Sequence, residues 1–128
     1  MKLDSNNNFN QISNKQVMII CNCLRSLGLN STHIGTRLIN RAIQILTVKD
    51  LEIIVLSDIY EEISKSFPNL KSNFIRMYIY YALEHRNKDK SEINFKRIFG
   101  FDYDEYYFEP KQFIEEMANI IRIRTINL

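Results

Sequence analysis

Turn formers are scarce in this chain. Three glycines and two prolines among 128 residues are too few for a fold of many short strands, and abundant Ile, Leu, Asn and Lys point instead to helices with short connections. A disulfide framework is missing as well. Cys21 and Cys23 are the only cysteines, and at i, i+2 in a helix their side chains diverge, so they read as small apolar fillers in a reducing cytosol. Histidine is equally sparse: His33 and His85 have no ligand spacing between them, and neither a metal nor a cofactor is expected. No apolar run is long enough to span a bilayer, and the leading MKLDSNNNFNQISNK has no signal-peptide core, so the expectation is a cytoplasmic chain without a membrane partner. Charge of one sign is not in excess either. Seventeen Lys and Arg against fifteen Asp and Glu leave +2, short of the basic surplus that makes nucleic-acid binding evident from composition. Catalytic signatures are absent: there is no glycine-rich phosphate cradle and no nucleophile beside a base. Glu61 with Glu62, and Glu115 with Glu116, are adjacent pairs that diverge around their helices. Neither an enzyme nor a small-molecule substrate is expected.

What is present is an apolar content of 45%, enough for one core without crosslinks. Residues 1–15, with five Asn and two Ser, read as a flexible polar segment, and residues 16–128 as a helical domain. Val17, Ile20, Cys21, Leu24 and Leu27 mark a first helix that Gly28 stops. A second, from about Thr36 to Leu46, turns Leu38, Ile39, Ala42, Ile43 and Leu46 inward. Lys49 to Leu56 is apolar nearly all round and is expected to be deeply buried. A further helix starts at Ser57 as N-cap and ends at Ser66 to Asn69, because Pro68 cannot continue the ladder and biases Phe67 away from helical geometry. The next runs from Leu70–Ser72 to about Arg86. HRNKDKSE reads as a charged connection, Ile93 to Phe99 as a short helix stopped by Gly100, FDYDEYYFE as a loop, and Pro110 as the first residue of a last helix to about Arg124.

Tyr60 to Glu84 is the most informative stretch, two helices joined by a tight turn with the spacing of a helix-turn-helix DNA reader. In the second helix Phe74, Ile75, Tyr78, Ile79, Ala82 and Leu83 form the expected buried face. Asn73, Arg76, Met77, Tyr80, Tyr81 and Glu84 form the outward one.

The order of elements resembles the DNA-binding effector domain of the master sporulation response regulator of spore-forming Firmicutes, the stage zero sporulation protein A family, over about Val17 to Ile123. Gly35, Leu38, Ala42 and Ile43 stand where the family has a glycine loop leading into a helix that ends in Ala-Ile. Tyr60, Ile63, Lys65 and Phe67 match its Tyr-x-x-Ile-x-Lys-x-Phe run. Ala82, Leu83 and Glu84 match the close of its recognition helix, Phe99 and Gly100 a later Phe-Gly, and Pro110, Phe113 and Ile114 its last helix. The resemblance implies an all-α, compact bundle of about six helices containing a helix-turn-helix, which recognises double-stranded DNA and regulates transcription at entry into sporulation. Two departures accompany it. The family carries a receiver domain ahead of this one, where this chain has its short polar segment, so the expectation is a standalone protein without the phosphoryl switch. The family also presents Glu, Arg, Arg and His where Arg76, Met77, Tyr80 and Tyr81 stand here.

Base reading needs Arg or Lys for guanine, Asn or Gln for adenine and an apolar group for a thymine methyl. Asn73, Arg76 and Met77, on one face near the helix start, supply these types. Tyr80 and Tyr81 can donate to phosphates, and Lys71, Ser72 and Arg86 can neutralise or cap them. Lys88, Lys90, Lys96 and Arg97 form a further basic group that flanks DNA or is a wet surface. Met77, Tyr80 and Tyr81 also make a patch suited to a partner protein, the alternative function being a non-DNA-binding module that pairs with or antagonises a related regulator. Alternatively Tyr80 or Tyr81 packs beneath the loop after Phe101. Asp102, Asp104, Glu105 and Glu109 in that loop would weaken DNA binding if they lay beside the recognition helix. Phe113, Met117, Ile120 and Ile121 form a stripe on the last helix that is either core or a homo- or heterodimer surface.

Overall fold

Ser13 opens the first helix, α1 (Asn14–Ser26), through a reciprocal pair of bonds. Its hydroxyl accepts from the Gln16 N–H at 3.1 Å, and the Gln16 side chain accepts from the Ser13 N–H at 3.0 Å. This capping box satisfies donors that a helix start leaves orphaned, so the helix begins ahead of Gln16, inside the segment expected to be flexible. The computed structural model describes residues 12–49 and 55–126, the last two by their backbone only; residues 1–11 of that segment lie outside the described residues.

α1 ends in two reverse bonds, Gly28 N–H to Arg25 O at 3.0 Å and Leu29 N–H to Leu24 O at 3.0 Å, with Gly28 at φ 95°. That is the Schellman arrangement, in which a left-handed residue after the last turn is most cheaply a glycine. α2 (Ile34–Val48) starts earlier than its apolar pattern suggests. His33 takes the N-cap, its Nδ1 accepting from the Gly35 N–H at 2.9 Å, a role usually filled by Ser, Thr, Asp or Asn. The inward stripe is as expected: Leu38, Ile39, Ala42, Ile43 and Leu46 are all buried.

α3 (Leu56–Ser66) has Val55 as its N-cap, with no side-chain bond, so Ser57 lies in the first turn and is not the cap. The expected buried element Lys49 to Leu56 falls mostly on residues 50–54, outside the described residues. Its flanks do not fit deep burial, since Lys49 is exposed and Val55 is 54% exposed. Phe67 closes α3, and the chain turns through Pro68 into α4 (Ser72–Glu84). The charged HRNKDKSE is not simply a connection. Asn87 accepts from the Lys90 N–H at 3.1 Å and caps α5 (Lys88–Phe99), which Gly100 ends in the left-handed region. A 3-10 turn, Glu105–Phe108, forms inside the expected loop, and Pro110 opens the last helix, α6 (Pro110–Ile126).

The fold is all-α, six α-helices with no strand among the described residues. α2 lies at its centre, packed on α1, α3, α4 and α6, while α5 and the 3-10 turn close over α6. The core joins Ile20, Leu24, Ile39, Ile43, Ile63, Ile79, Phe95 and Phe113, with Met117, Ile120 and Ile121 of α6 buried in it. The α6 stripe is therefore core within one chain, and this corrects the alternative of a dimer surface. Gly35 sets the approach of α2 to α4: a Cβ there would sit 2.1 Å from the Tyr78 carbonyl oxygen and 2.8 Å from the Ala82 Cβ.

Helix C-termini carry unpaired carbonyls that a buried end must satisfy. Here side chains from other elements do so. Ser91 and Asn94 of α5 donate to the Leu27 and Ser26 carbonyls at the end of α1, at 2.5 and 2.8 Å. Arg122 of α6 reaches the Leu46 and Thr47 carbonyls of α2 at 2.9 and 3.2 Å, and Arg124 the Arg97 and Ile98 carbonyls of α5 at 3.4 and 3.3 Å. At the ends of α2 and α5 the donor is a cation, which also interacts favourably with the helix dipole.

Candidate functional site

α4 is held from behind. Ile75, Ile79, Ala82 and Leu83 are buried against α2 and its neighbours, and Ser72 ties its first turn to α3 by donating to Glu61 Oε2 at 3.1 Å. The other side faces solvent, with Asn73, Arg76 and Glu84 exposed beside Met77, Tyr80 and Tyr81, which are 60%, 53% and 48% exposed. Lys71 precedes the helix and is exposed, while Ser72 is half-buried. Tyr80 and Tyr81 thus do not pack beneath the segment after Phe101.

Two members of the expected buried face are not buried. Phe74 is 45% and Tyr78 37% exposed. The close crossing at Gly35 brings α2 against the backbone of Tyr78 itself, so the covered arc is narrower than the apolar pattern and its two aromatics fall on the rim. Beside them Ile34, Phe67, Leu70 and Tyr78 bound a hollow of about 470 Å³.

Tyr81 carries both histidines of the chain. His85 stacks on one side with ring centroids 3.9 Å apart and an interplanar angle of 17°, and His33 stacks at 5.2 Å and 14°. Sequence distance hid this pairing, and no spacing rule connects the N-cap of α2 to the end of α4.

Arg86 is not on the outward face. It is 5% exposed, and its guanidinium lies 3.5 Å over the Phe108 ring. Nε donates to Ser91 Oγ at 2.7 Å and Nη1 to the Leu83 carbonyl at 2.9 Å, while Nη2 donates to the Tyr103 hydroxyl at 3.1 Å and Glu105 Oε1 at 2.9 Å. A side chain so occupied does not reach a phosphate, which corrects its assignment as a backbone contact. Tyr103 also donates to Glu105. Partial burial pushes the Glu105 carboxyl up, but the bonds from Arg86 and Tyr103 and the charges of Arg86 and Lys88 outweigh it and leave the group below its usual range. The acidic aromatic segment is thereby pinned to the end of α4, and it packs on Phe95 and Phe99 rather than hanging free.

The same segment approaches α4 at its other end. Tyr106, Glu109 and Lys111 share an open groove of about 730 Å³ with Leu56 and Tyr60 of α3 and with Arg76. The Tyr60 hydroxyl is buried with no hydrogen-bond partner, and burial pushes it up to about 12 against a smaller opposing effect of the Arg76 charge. Cys21 and Cys23 are free and both act as acceptors, Cys21 from Asn40 at 3.2 Å and Cys23 from Arg124 at 3.5 Å. Among the described residues no group of three or more His, Cys, Asp or Glu could hold a metal ion, and no helix is long and apolar enough to cross a membrane. Comparison with known protein families, with curated proteins and with solved structures found no match to this chain.

Proposed function

We propose that the chain is a DNA-binding transcriptional regulator that reads the major groove with α4, in the manner of the sporulation regulator effector domain it resembles. One observation carries it: the first turns of a helix that follows a tight turn, braced from behind by α2, leave Asn73, Arg76 and Met77 together in solvent. These are the residue types that pair with adenine, guanine and the thymine methyl, and the N-terminal part of a recognition helix is where base edges are met. Lys71, Ser72, Tyr80 and Tyr81 stand beside them for phosphate contacts. Arg86 takes no part.

Titration into duplex DNA, including sites read by the family, tests this at two salt concentrations. Sequence-preferring binding is expected, weakened by about 1–3 kcal/mol in Arg76→Ala. With so few basic groups at α4, log K should fall with log salt at a slope of only about −2 to −4. Absence of binding at low salt would end the proposal.

A second reading, a module that docks another protein on α4, draws on the aromatic rim. Phe74, Met77, Tyr78, Tyr80 and Tyr81 together expose more large apolar surface than the sequence pattern suggested, and contiguous patches of this kind mark interfaces. A pull-down unaffected by Tyr80→Ala and Tyr81→Ala would count against it.

A further inference from the structure

We propose that the groove between α3, α4 and the start of α6 binds a small organic anion with a flat apolar body, an aromatic monocarboxylate being the simplest example. Its volume of about 730 Å³ falls in the range of about 300–1,000 Å³ typical of small-ligand sites. Leu56, Tyr106 and Pro110 give it apolar walls. Chemistry beyond shape selects the charge. Tyr60 is 3% exposed, lines the groove, and its hydroxyl has no partner. Leaving a buried hydroxyl unpaired is destabilising, a cost that an acceptor in the groove removes. The hydroxyl keeps its proton at neutral pH, being pushed up to about 12, and Tyr60 and Arg76 line the same groove.

Arg76 is exposed and makes no hydrogen bond or ion pair among the described residues, which leaves its fork open to a carboxylate. Two helices also begin at this groove, α3 without a side-chain cap and α6 at Pro110; their N-termini favour negative charge. The remaining charges limit how much. Lys111 is paired with Glu115 at 3.0 Å, and Glu109 lines the groove with a carboxylate of its own. Among the described residues that line the groove, Arg76 is thus the cation left without an ion pair, which matches a monoanion and disfavours a polyphosphate.

The test is an NMR titration of the full chain, labelled with ¹⁵N, with benzoate and indole-3-acetate and with their neutral amides, benzamide and indole-3-acetamide. Saturable shifts of the Leu56, Ser57, Tyr106 and Lys111 amides are expected with the acids, at an affinity at least about tenfold above that of the amides. Arg76→Ala should lower the acid affinity by about tenfold or more with an unchanged melting temperature, and Tyr60→Phe should lower it by several-fold with a melting temperature that rises, because the unpaired hydroxyl is gone. Tyr60→Phe removes only an unpaired hydroxyl, so a folded variant is expected. Equal binding of acid and amide, shifts elsewhere on the chain, no saturation at millimolar ligand, or full affinity in either variant would overturn the proposal. No DNA enters this titration, so its failure and that of the DNA proposal are separately readable.

Discussion

Arg86 shows how a residue's neighbours decide what its charge is for. In sequence it sits at the start of a charged run and reads as a phosphate contact; in the fold it bonds the Leu83 carbonyl, Ser91, Tyr103 and Glu105 and lies over Phe108. Apart from the Leu83 carbonyl three residues back, those partners come from segments that become neighbours only when α5 and the 3-10 turn dock, which no local pattern encodes. Arg86→Ala should lower the unfolding free energy by about 2–4 kcal/mol, since it strands the buried Leu83 carbonyl and Ser91 hydroxyl and removes the packing over Phe108. Arg86→Lys should recover little of this, lacking the fork. Chemical denaturation measures both. Two titrations bracket the stability. Glu105 is depressed in the fold, so the unfolded chain takes its proton first as pH falls. The stability from Glu105 is present above the ordinary carboxylate range and lost as pH drops through the lower folded value, and Glu105→Gln should flatten that acid limb. Tyr60 is raised to about 12 from 10.0, so its contribution is full below 10 and lost as pH climbs toward 12. In Tyr60→Phe the alkaline decline should shrink.

At the scale of elements, the helices themselves were legible and their ends less so. Apolar periodicity gave the inward stripe of α2 and the buried positions of α6, and Pro68, Gly28, Gly100 and Pro110 marked boundaries where backbone chemistry leaves few options. Starts depending on less usual caps were misplaced, as with His33 for α2 and Val55 for α3. The width of the covered arc on α4 was not readable either, because it depends on how closely α2 approaches. Gly35→Ala tests that approach. A methyl placed 2.1 Å from the Tyr78 carbonyl oxygen must push the helices apart, at a cost near the upper end of the overpacking range, about 3 kcal/mol. Resonances of Tyr78 and Ala82 should move with it. A midpoint unchanged within error would mean that the helices slide past each other freely.

For the whole molecule, a net charge of +2 gives DNA little general attraction, and part of the positive charge is already committed. Arg86, Arg122 and Arg124 are committed to helix ends, and Lys65, Lys96 and Lys111 pair with Glu62, Asp102 and Glu115. Any hold on DNA must therefore rest on fit at α4 more than on a general attraction. The buried α6 stripe leads to another whole-chain expectation. Met117→Ala should cost about 2–5 kcal/mol of stability and leave the sedimentation coefficient of the folded protein unchanged. A large-to-small change that instead altered the association state would contradict the packing of α6 inside one chain. The stack on Tyr81 offers a way to watch all of this. Because the only two imidazoles in the protein lie against one phenol ring, its ring current should displace their carbon-bound proton signals from ordinary histidine positions. Two well-separated lines in an unlabelled proton spectrum would then register whatever settles on α4, be it a duplex or another protein, without a tag, a dye or a tryptophan.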